Sequence, residues 1–254
     1  MQAVVDSLLT NYRKTGQGKA VVMLHGWGDD SSTFGELAAS ISSKYSVLAL
    51  DLPGFGGTQA PTEAWSLSDY AKFVSAWLSK IDVKEVEAIV GHSFGGAVSI
   101  VAVAAGVIKP RKLILLASAG VRLKRSLRLR ALRAGAKLGK LPLYLLPANK
   151  AKKIKIYFYG KIGSDMMLRP DMRRTFVKTI KEDLREAAGH IKTPSLLIYG
   201  EEDRETPLND GRLLHQAIKG SKLESIEEAG HFVHHQKPDQ IAQLVLDFLS
   251  EAKK

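Results

Sequence analysis

The stretch from residue 86 to residue 107 constrains the fold more than any other part of this 254-residue chain. An apolar run, VEAIV, leads into Gly91-His92-Ser93-Phe94-Gly95-Gly96, and a second apolar run follows. The first run suits a buried strand and the second, residues 94–107, a buried helix. A serine at so sharp a strand-to-helix turn has a strained backbone and little room, and Gly91 and Gly95 supply that room. Its hydroxyl then stands above the sheet at a helix N-terminus, where unpaired amides and the helix dipole favour developing negative charge. G-x-S-x-G in this setting points to Ser93 as a nucleophile rather than as part of a structural turn.

The flanking sequence extends the same pattern. Residues 4–12 and 19–25 read as two strands joined by a turn at Thr15-Gly16-Gln17-Gly18. Ser31 and Ser32 are placed to cap a helix reaching about residue 43. Residues 45–51 read as an apolar strand and residues 51–57, with Pro53 and three glycines, as a loop. Residues 66–81 put Leu67, Tyr70, Phe73, Val74, Trp77 and Leu78 on one helical face. Residues 112–117, 195–199 and 222–227 read as strands, and 208–218 and 238–250 as helices. Continuous apolar strands alternating with helices predict an α/β fold: a mostly parallel central sheet with helices on both faces. The length suits one such domain. The alternation stops at about residue 121. Residues 121–189 are therefore expected to form a basic helical cap inserted between two strands of a core made of 1–120 and 190–254.

A serine needs a base and the base an orienting carboxylate. Of seven histidines, His231 lies in Ala229-Gly230-His231-Phe232, between the last expected strand and the closing helix. That position brings it to the carboxyl end of the sheet, near Ser93. His234 and His235 are local alternatives, and His215 falls on a helix face. The strand SLLIY ends at Gly200, and Glu201, Glu202 and Asp203 are all placed to serve as the acid. The order Ser, acid, His is the one this strand-turn-helix setting uses. Asp51 is expected to cap the turn of its loop, and His25 to bond nearby backbone. There is no cysteine, which excludes a disulfide scaffold, a thiolate metal site and a Cys nucleophile. No histidine spacing suggests a metal, so no metal or organic cofactor is expected.

HGWG at 25–28, DLPGFG at 51–56, GHSFGG at 91–96, GEEDRETP at 200–207 and AGHF at 229–232, in that order, resemble the α/β-hydrolase superfamily, in its serine-hydrolase branch. The resemblance runs from about residue 5 to 250. It implies Asp203 as the acid, three residues after the strand-ending glycine and four before Pro207. It implies an oxyanion hole from the backbone N–H groups of Trp27 and Phe94. It also implies a carboxylic-ester hydrolase working through an acyl-enzyme on Ser93, with a small-molecule ester as substrate. Epoxide hydrolases and haloalkane dehalogenases resemble the same fold but carry Asp where Ser93 stands. Carbon–carbon bond hydrolases of ring-cleavage products, lactonases, cofactor-free haloperoxidases and carrier-bound (thio)ester hydrolases share the Ser/Asp/His set. Some relatives with the triad act as slow-turnover ligand receptors.

The net charge of +11 is uneven, since residues 121–192 hold 20 of the 37 Lys/Arg and only 5 of the 26 Asp/Glu. Arg122, Lys124, Arg125, Arg128, Arg130, Arg133 and Lys137 interleave with Leu127, Leu129, Leu132 and Leu138. That pattern suits a solvated helix face over core leucines. It equally suits docking to an acidic protein partner, an anionic membrane surface or an anionic substrate. No nucleic-acid-binding motif accompanies the charge, so no nucleic acid partner is expected. The N-terminus lacks a basic segment followed by a long apolar one, and the longest near-apolar run, residues 97–108, is too short to span a bilayer. The expected location is the cytoplasm.

Overall fold

Eight strands in one sheet carry the molecule, as seen in a computed structural model that describes residues 1–122 and 169–251. They are β1 Gln2–Val5, β2 Leu8–Thr15, β3 Lys19–Leu24, β4 Tyr45–Leu50, β5 Val86–His92, β6 Lys112–Leu116, β7 Ser195–Gly200 and β8 Lys222–Ile226. Their order across the sheet is β1-β2-β4-β3-β5-β6-β7-β8. β1 and β2 pair antiparallel, as do β2 and β4, and every pair from β4 to β8 is parallel. Parallel neighbours need crossover connections. The described ones use α1 Gly35–Ile41, α2 Leu67–Lys80, α3 Phe94–Ala104, α4 Arg173–Thr179, α5 Arg185–Ala188 and α6 Leu208–Ala217, while α7 Val233–Gln236 and α8 Pro238–Ser250 follow the last strand.

The continuous apolar strands are explained by burial on both faces. Successive side chains point to opposite sides. Val22, Leu24, Ile89, Leu113, Leu115 and Leu197 pack with α2 and α3 on one face, and Val21, Met23, Val90, Ile114, Leu116 and Ile198 with α1 and α8 on the other. α2 starts at a reciprocal cap between Ser66 and Asp69, the capping-box arrangement. α8 is closed from a distance. The buried ammonium of Lys112 on β6 donates to the carbonyls of Phe248, Leu249 and Glu251 at 2.6, 2.8 and 2.8 Å, satisfying acceptors that a helix end leaves open.

Three local expectations are corrected. Residues 4–12 do not form one strand: β1 and β2 make a hairpin whose turn, Asp6-Ser7, has φ of 45° and 66°. Two left-handed residues match the twist of a tight hairpin, but Ser7 stands where the Gly of an Asp-Gly turn would signal one. After β3, a 3-10 turn at Ser31–Phe34 precedes α1, and its cap is Asp30, whose side chain accepts from the Ser32 N–H at 2.7 Å. α3 ends at Ala104, three residues early, and Gly106 follows with φ of 66°.

The chain leaves β6 at Leu116 and returns in β7 at Ser195. Most of the expected cap, residues 123–168, with the basic run from Lys124 to Lys137, lies outside the described residues. α4 and α5 belong to its described remainder. Among the described residues no helix is long and apolar enough to cross a membrane.

Candidate active site

Ser93 sits at the carboxyl end of β5 as the N-cap of α3, with φ 50° and ψ −113°. Such a backbone costs about 1–3 kcal/mol and persists only where its surroundings hold it. Here the Ser93 N–H donates to Leu116 O, and Ser93 O accepts from Ala97 and Ala119, all within 3.0 to 3.1 Å. Gly95 is needed for a steric reason: a Cβ there would strike the carbonyl oxygens of Leu24 and His25. The β3 loop thus presses on the turn. A Cβ on Gly26 would stand 3.4 Å from that of Ser93.

The acid and the base come from adjacent loops. A Cβ on Gly200 would strike Ala229 O and Gly230 O, and the Glu202 N–H donates to Ala229 O at 2.9 Å, so the end of β7 lies against the loop after β8. His231 Nδ1–H donates to Asp203 Oδ2 at 2.9 Å. Asp203 is 5 % exposed, and it is the one of the three candidate acids that meets His231. Glu201 instead accepts from the Ser225 hydroxyl, and both it and Glu202 face solvent. The N–H groups of Glu205 and Thr206 donate to Asp203 Oδ1 at 2.8 and 3.0 Å. Burial opposes ionisation of Asp203, but His231 and Thr206 outweigh it and hold the carboxyl below its ordinary range.

Sequence reasoning missed three residues here. The Thr206 hydroxyl is 2.8 Å from Asp203 Oδ2, 3.1 Å from His231 Nδ1 and 2.9 Å from Ala117 O. It locks acid, base and the end of β6 together. A Thr three residues after the acid in an Asx-type turn is the one signal that pointed to it. Glu205 places its carboxylate 3.5 Å from His231 Nε2, the ring nitrogen away from Asp203. His92 donates from Nε2 to His231 O at 3.0 Å and so fixes the backbone that carries the base. Burial, then His234 and His231, hold His92 far below the ordinary histidine range, and it is neutral.

The remaining sequence candidates fall elsewhere. His234 Nε2 and His235 Nε2 lie 3.2 and 3.0 Å from the Thr33 hydroxyl. His215 Nδ1 lies 2.8 Å from the Ser221 hydroxyl. His25 donates from Nδ1 to Gly26 O at 2.7 Å and accepts at Nε2 from the Leu52 N–H at 2.9 Å. Asp51 accepts from Ser31, Gly57 and Asn11, each at 2.8 Å. Trp27 packs its ring against Phe55, Phe94 and Phe176 at 4.9 to 5.2 Å. Phe94 is the first residue of α3, so its N–H has no acceptor inside the helix.

A pocket of about 270 Å³ opens onto Ser93, and Glu205 and Thr206, which stand 3.5 and 3.1 Å from ring nitrogens of His231, line it as well. Trp27, Phe94 and Phe176 form its apolar wall, and Glu182 and Asp210 also reach it. Among the described residues no group of three or more His, Asp or Glu is placed to hold a metal ion.

A profile of the alpha/beta hydrolase family matches residues 21–244. An uncharacterized hydrolase of Bacillus subtilis (strain 168), YugF, is 31% identical over 265 residues, covering 96% of this chain and 94% of its own. A 2-hydroxy-6-oxononadienedioate/2-hydroxy-6-oxononatrienedioate hydrolase of Klebsiella pneumoniae is 26% identical over 261 residues, covering 93% of this chain and 89% of its own. An enol-lactonase from Burkholderia xenovorans LB400 has a similar structure, with a TM-score of 0.75 at 22% identity, covering 99% of this chain and 100% of that one.

Proposed function

The chain belongs to the alpha/beta hydrolase family, and from that premise we propose that it is a serine hydrolase that cleaves carboxylic esters through an acyl-enzyme on Ser93. The observation that carries the proposal is the buried His231–Asp203 pair at 2.9 Å, set beside a pocket that a strained serine lines.

In this reading His231 Nε2 takes the Ser93 proton as Oγ attacks the ester carbonyl. Asp203 fixes the ring tautomer through Nδ1–H and stabilises the imidazolium. Glu205, 3.5 Å from Nε2, adds negative charge on the side where that proton arrives. The N–H groups of Trp27 and Phe94 receive the oxyanion, and such donors are worth ~3 kcal/mol each. The imidazolium returns its proton to the departing alcohol, and water activated by the same His231 then releases the acid. The charge of residues 121–189 suits an acidic protein partner. The protein works in the cytoplasm.

A second reading is favoured by one comparison: a 26% identical relative is named for a nonadienedioate substrate, which would make this chain a carbon–carbon bond hydrolase on the same triad. Charge weighs against a dicarboxylate of that kind. Glu182, Glu205 and Asp210 line the pocket with no Lys or Arg among its described lining residues, and like charges repel.

Hydrolysis of p-nitrophenyl esters from acetate to palmitate, by wild type and Ser93→Ala, tests the proposal. Loss of at least about 10³-fold in kcat with the fold intact is expected. Undiminished turnover by folded Ser93→Ala would overturn it. Turnover of a vinylogous 1,5-diketone alone would favour the second reading.

A further inference from the structure

The pocket contains a buried carboxyl that the hydrolytic reading does not use. Asp210, in the first turn of α6, is 8 % exposed, lines the same pocket as Ser93, and its Oδ1 has no hydrogen-bond partner. Three neighbouring side chains with donors form their hydrogen bonds elsewhere. Arg185 of α5 binds both oxygens of Asp183, at 3.0 and 2.7 Å. The Tyr199 hydroxyl of β7 donates to Ser118 O at 2.8 Å. The Thr206 hydroxyl is held between Asp203 and Ala117.

An unpartnered buried carboxylate is costly, and this one shows the cost. Burial first, then the charge of Asp203, push its pKa up to about 6, with Arg185 opposing. A favourable helix dipole explains an acidic residue in a first turn, but an exposed one would serve equally, for about 0.3–1 kcal/mol. A group retained at a cost inside a reactive pocket is a candidate for a ligand contact. The two other carboxyls on the pocket wall, Glu182 and Glu205, give the described lining one sign of charge.

We propose that Asp210 selects the substrate: its unpartnered Oδ1 accepts a hydrogen bond from a protonated amine, so the pocket takes amine-bearing esters ahead of carboxylate-bearing ones. This rests on reading the pocket as the one that serves Ser93. An ammonium meets the buried oxygen with a donor and balances the charge of the wall. A charge-assisted bond of this kind is about twice as strong as one between neutral groups. A carboxylate would instead meet the unpartnered carboxylate of Asp210.

The test is calorimetric titration with three ligands of matched size, 4-phenylbutylamine, 4-phenylbutanol and 4-phenylbutyrate, at pH 7.5, on wild type and Asp210→Asn. The wild type is expected to bind the amine at least about tenfold more tightly than the acid, with the alcohol between them. In Asp210→Asn the amine-to-acid ratio is expected to fall below about threefold. Equal ratios in the two proteins, a wild-type preference for the acid, or an alcohol that binds as tightly as the amine would overturn the proposal. A wild-type pH series keeps it falsifiable should the variant not fold. Amine affinity is expected to drop several-fold from pH 7.5 to 5 as Asp210 takes a proton, while phenylbutanol affinity changes less. A flat amine profile would overturn it. The groups facing Asp210 are Asp203, Arg185 and Tyr199, with Glu182 and Glu205 on the pocket wall. None of these ligands is turned over. A failed p-nitrophenyl ester assay beside an Asp210-dependent amine preference would therefore count against the esterase reading alone.

Discussion

Two acidic clusters flank the nucleophile turn, and they are built on opposite terms. At the loops after β3 and β4 the buried polar side chains are matched: Asp51 accepts three hydrogen bonds on its two oxygens, and both nitrogens of His25 are paired with backbone. At the loops after β7 and β8 the matching is incomplete. Among the described residues, four buried side-chain atoms lack partners, and two of them, on Asp210 in α6 and His234 in α7, follow those strands. A turn that only holds the chain satisfies its own groups. A surface that handles a substrate keeps some unsatisfied, and their cost is covered by the rest of the fold.

The sharpest way to break this contrast is to neutralise one aspartate in each cluster. Asp203→Asn is expected to lower kcat by about 10³–10⁴-fold with a nearly unchanged melting temperature. Asp51→Ala should do the reverse: a loss of about 3 kcal/mol in urea unfolding, with kcat per folded molecule within about twofold of wild type. A large kcat loss in Asp51→Ala, or a large stability loss in Asp203→Asn, would erase the distinction.

A smaller effect is expected from Thr206→Val, which removes the hydroxyl 2.8 Å from Asp203 Oδ2 while keeping the shape. Steady-state kinetics should show kcat down by about ten- to a hundredfold and KM little changed, the mark of a group that positions the acid and base.

Acid should act on the same side of the molecule. Burial, then His235 and His231, lower the pKa of His234 to about 3, and His92 is also lowered. Both bind protons more tightly when unfolded, so their contribution is full above about 6.5 and is lost as pH falls from there. Urea unfolding should show stability dropping by up to about 2 kcal/mol per histidine between pH 6.5 and 5. His234→Phe should flatten part of that slope.

Asp210 has the opposite sign. Its folded pKa is raised, so the native state binds its proton more tightly and the penalty is full above about pH 6 and absent below about 3.8. Asp210→Asn is expected to stabilise the protein at pH 7 by about 1 kcal/mol, after allowance for screening at the pocket mouth. No gain is expected at pH 3.5.

The sheet was legible from sequence because β3 through β7 are continuous apolar runs that must be covered on both faces, and α2 and α8 show one apolar side with clear starts. The Asp6-Ser7 hairpin was not, because Asp6 lacks the following Gly that makes a two-residue hairpin turn a strong signal. Ser93 was legible because its glycines answer a local steric demand. Asp203 was separable from Glu201 and Glu202 only by family resemblance, and in three dimensions by its bond to a residue 28 positions away. Thr206, His92, Glu205 and Asp210 acquire their roles from neighbours brought in by the fold. Their local sequence carries almost no signal of those neighbours, and the one weak hint was the Asx-type turn at Thr206.

The central claim is that Ser93 is the nucleophile, and covalent labelling tests it most directly. The protein is treated with a fluorophosphonate and the adduct mapped by peptide mass spectrometry. The account predicts a single adduct, on Ser93, absent in Ser93→Ala and formed far more slowly in Asp203→Asn. An adduct on another residue, or an unlabelled Ser93 in a protein that still hydrolyses esters, would contradict it.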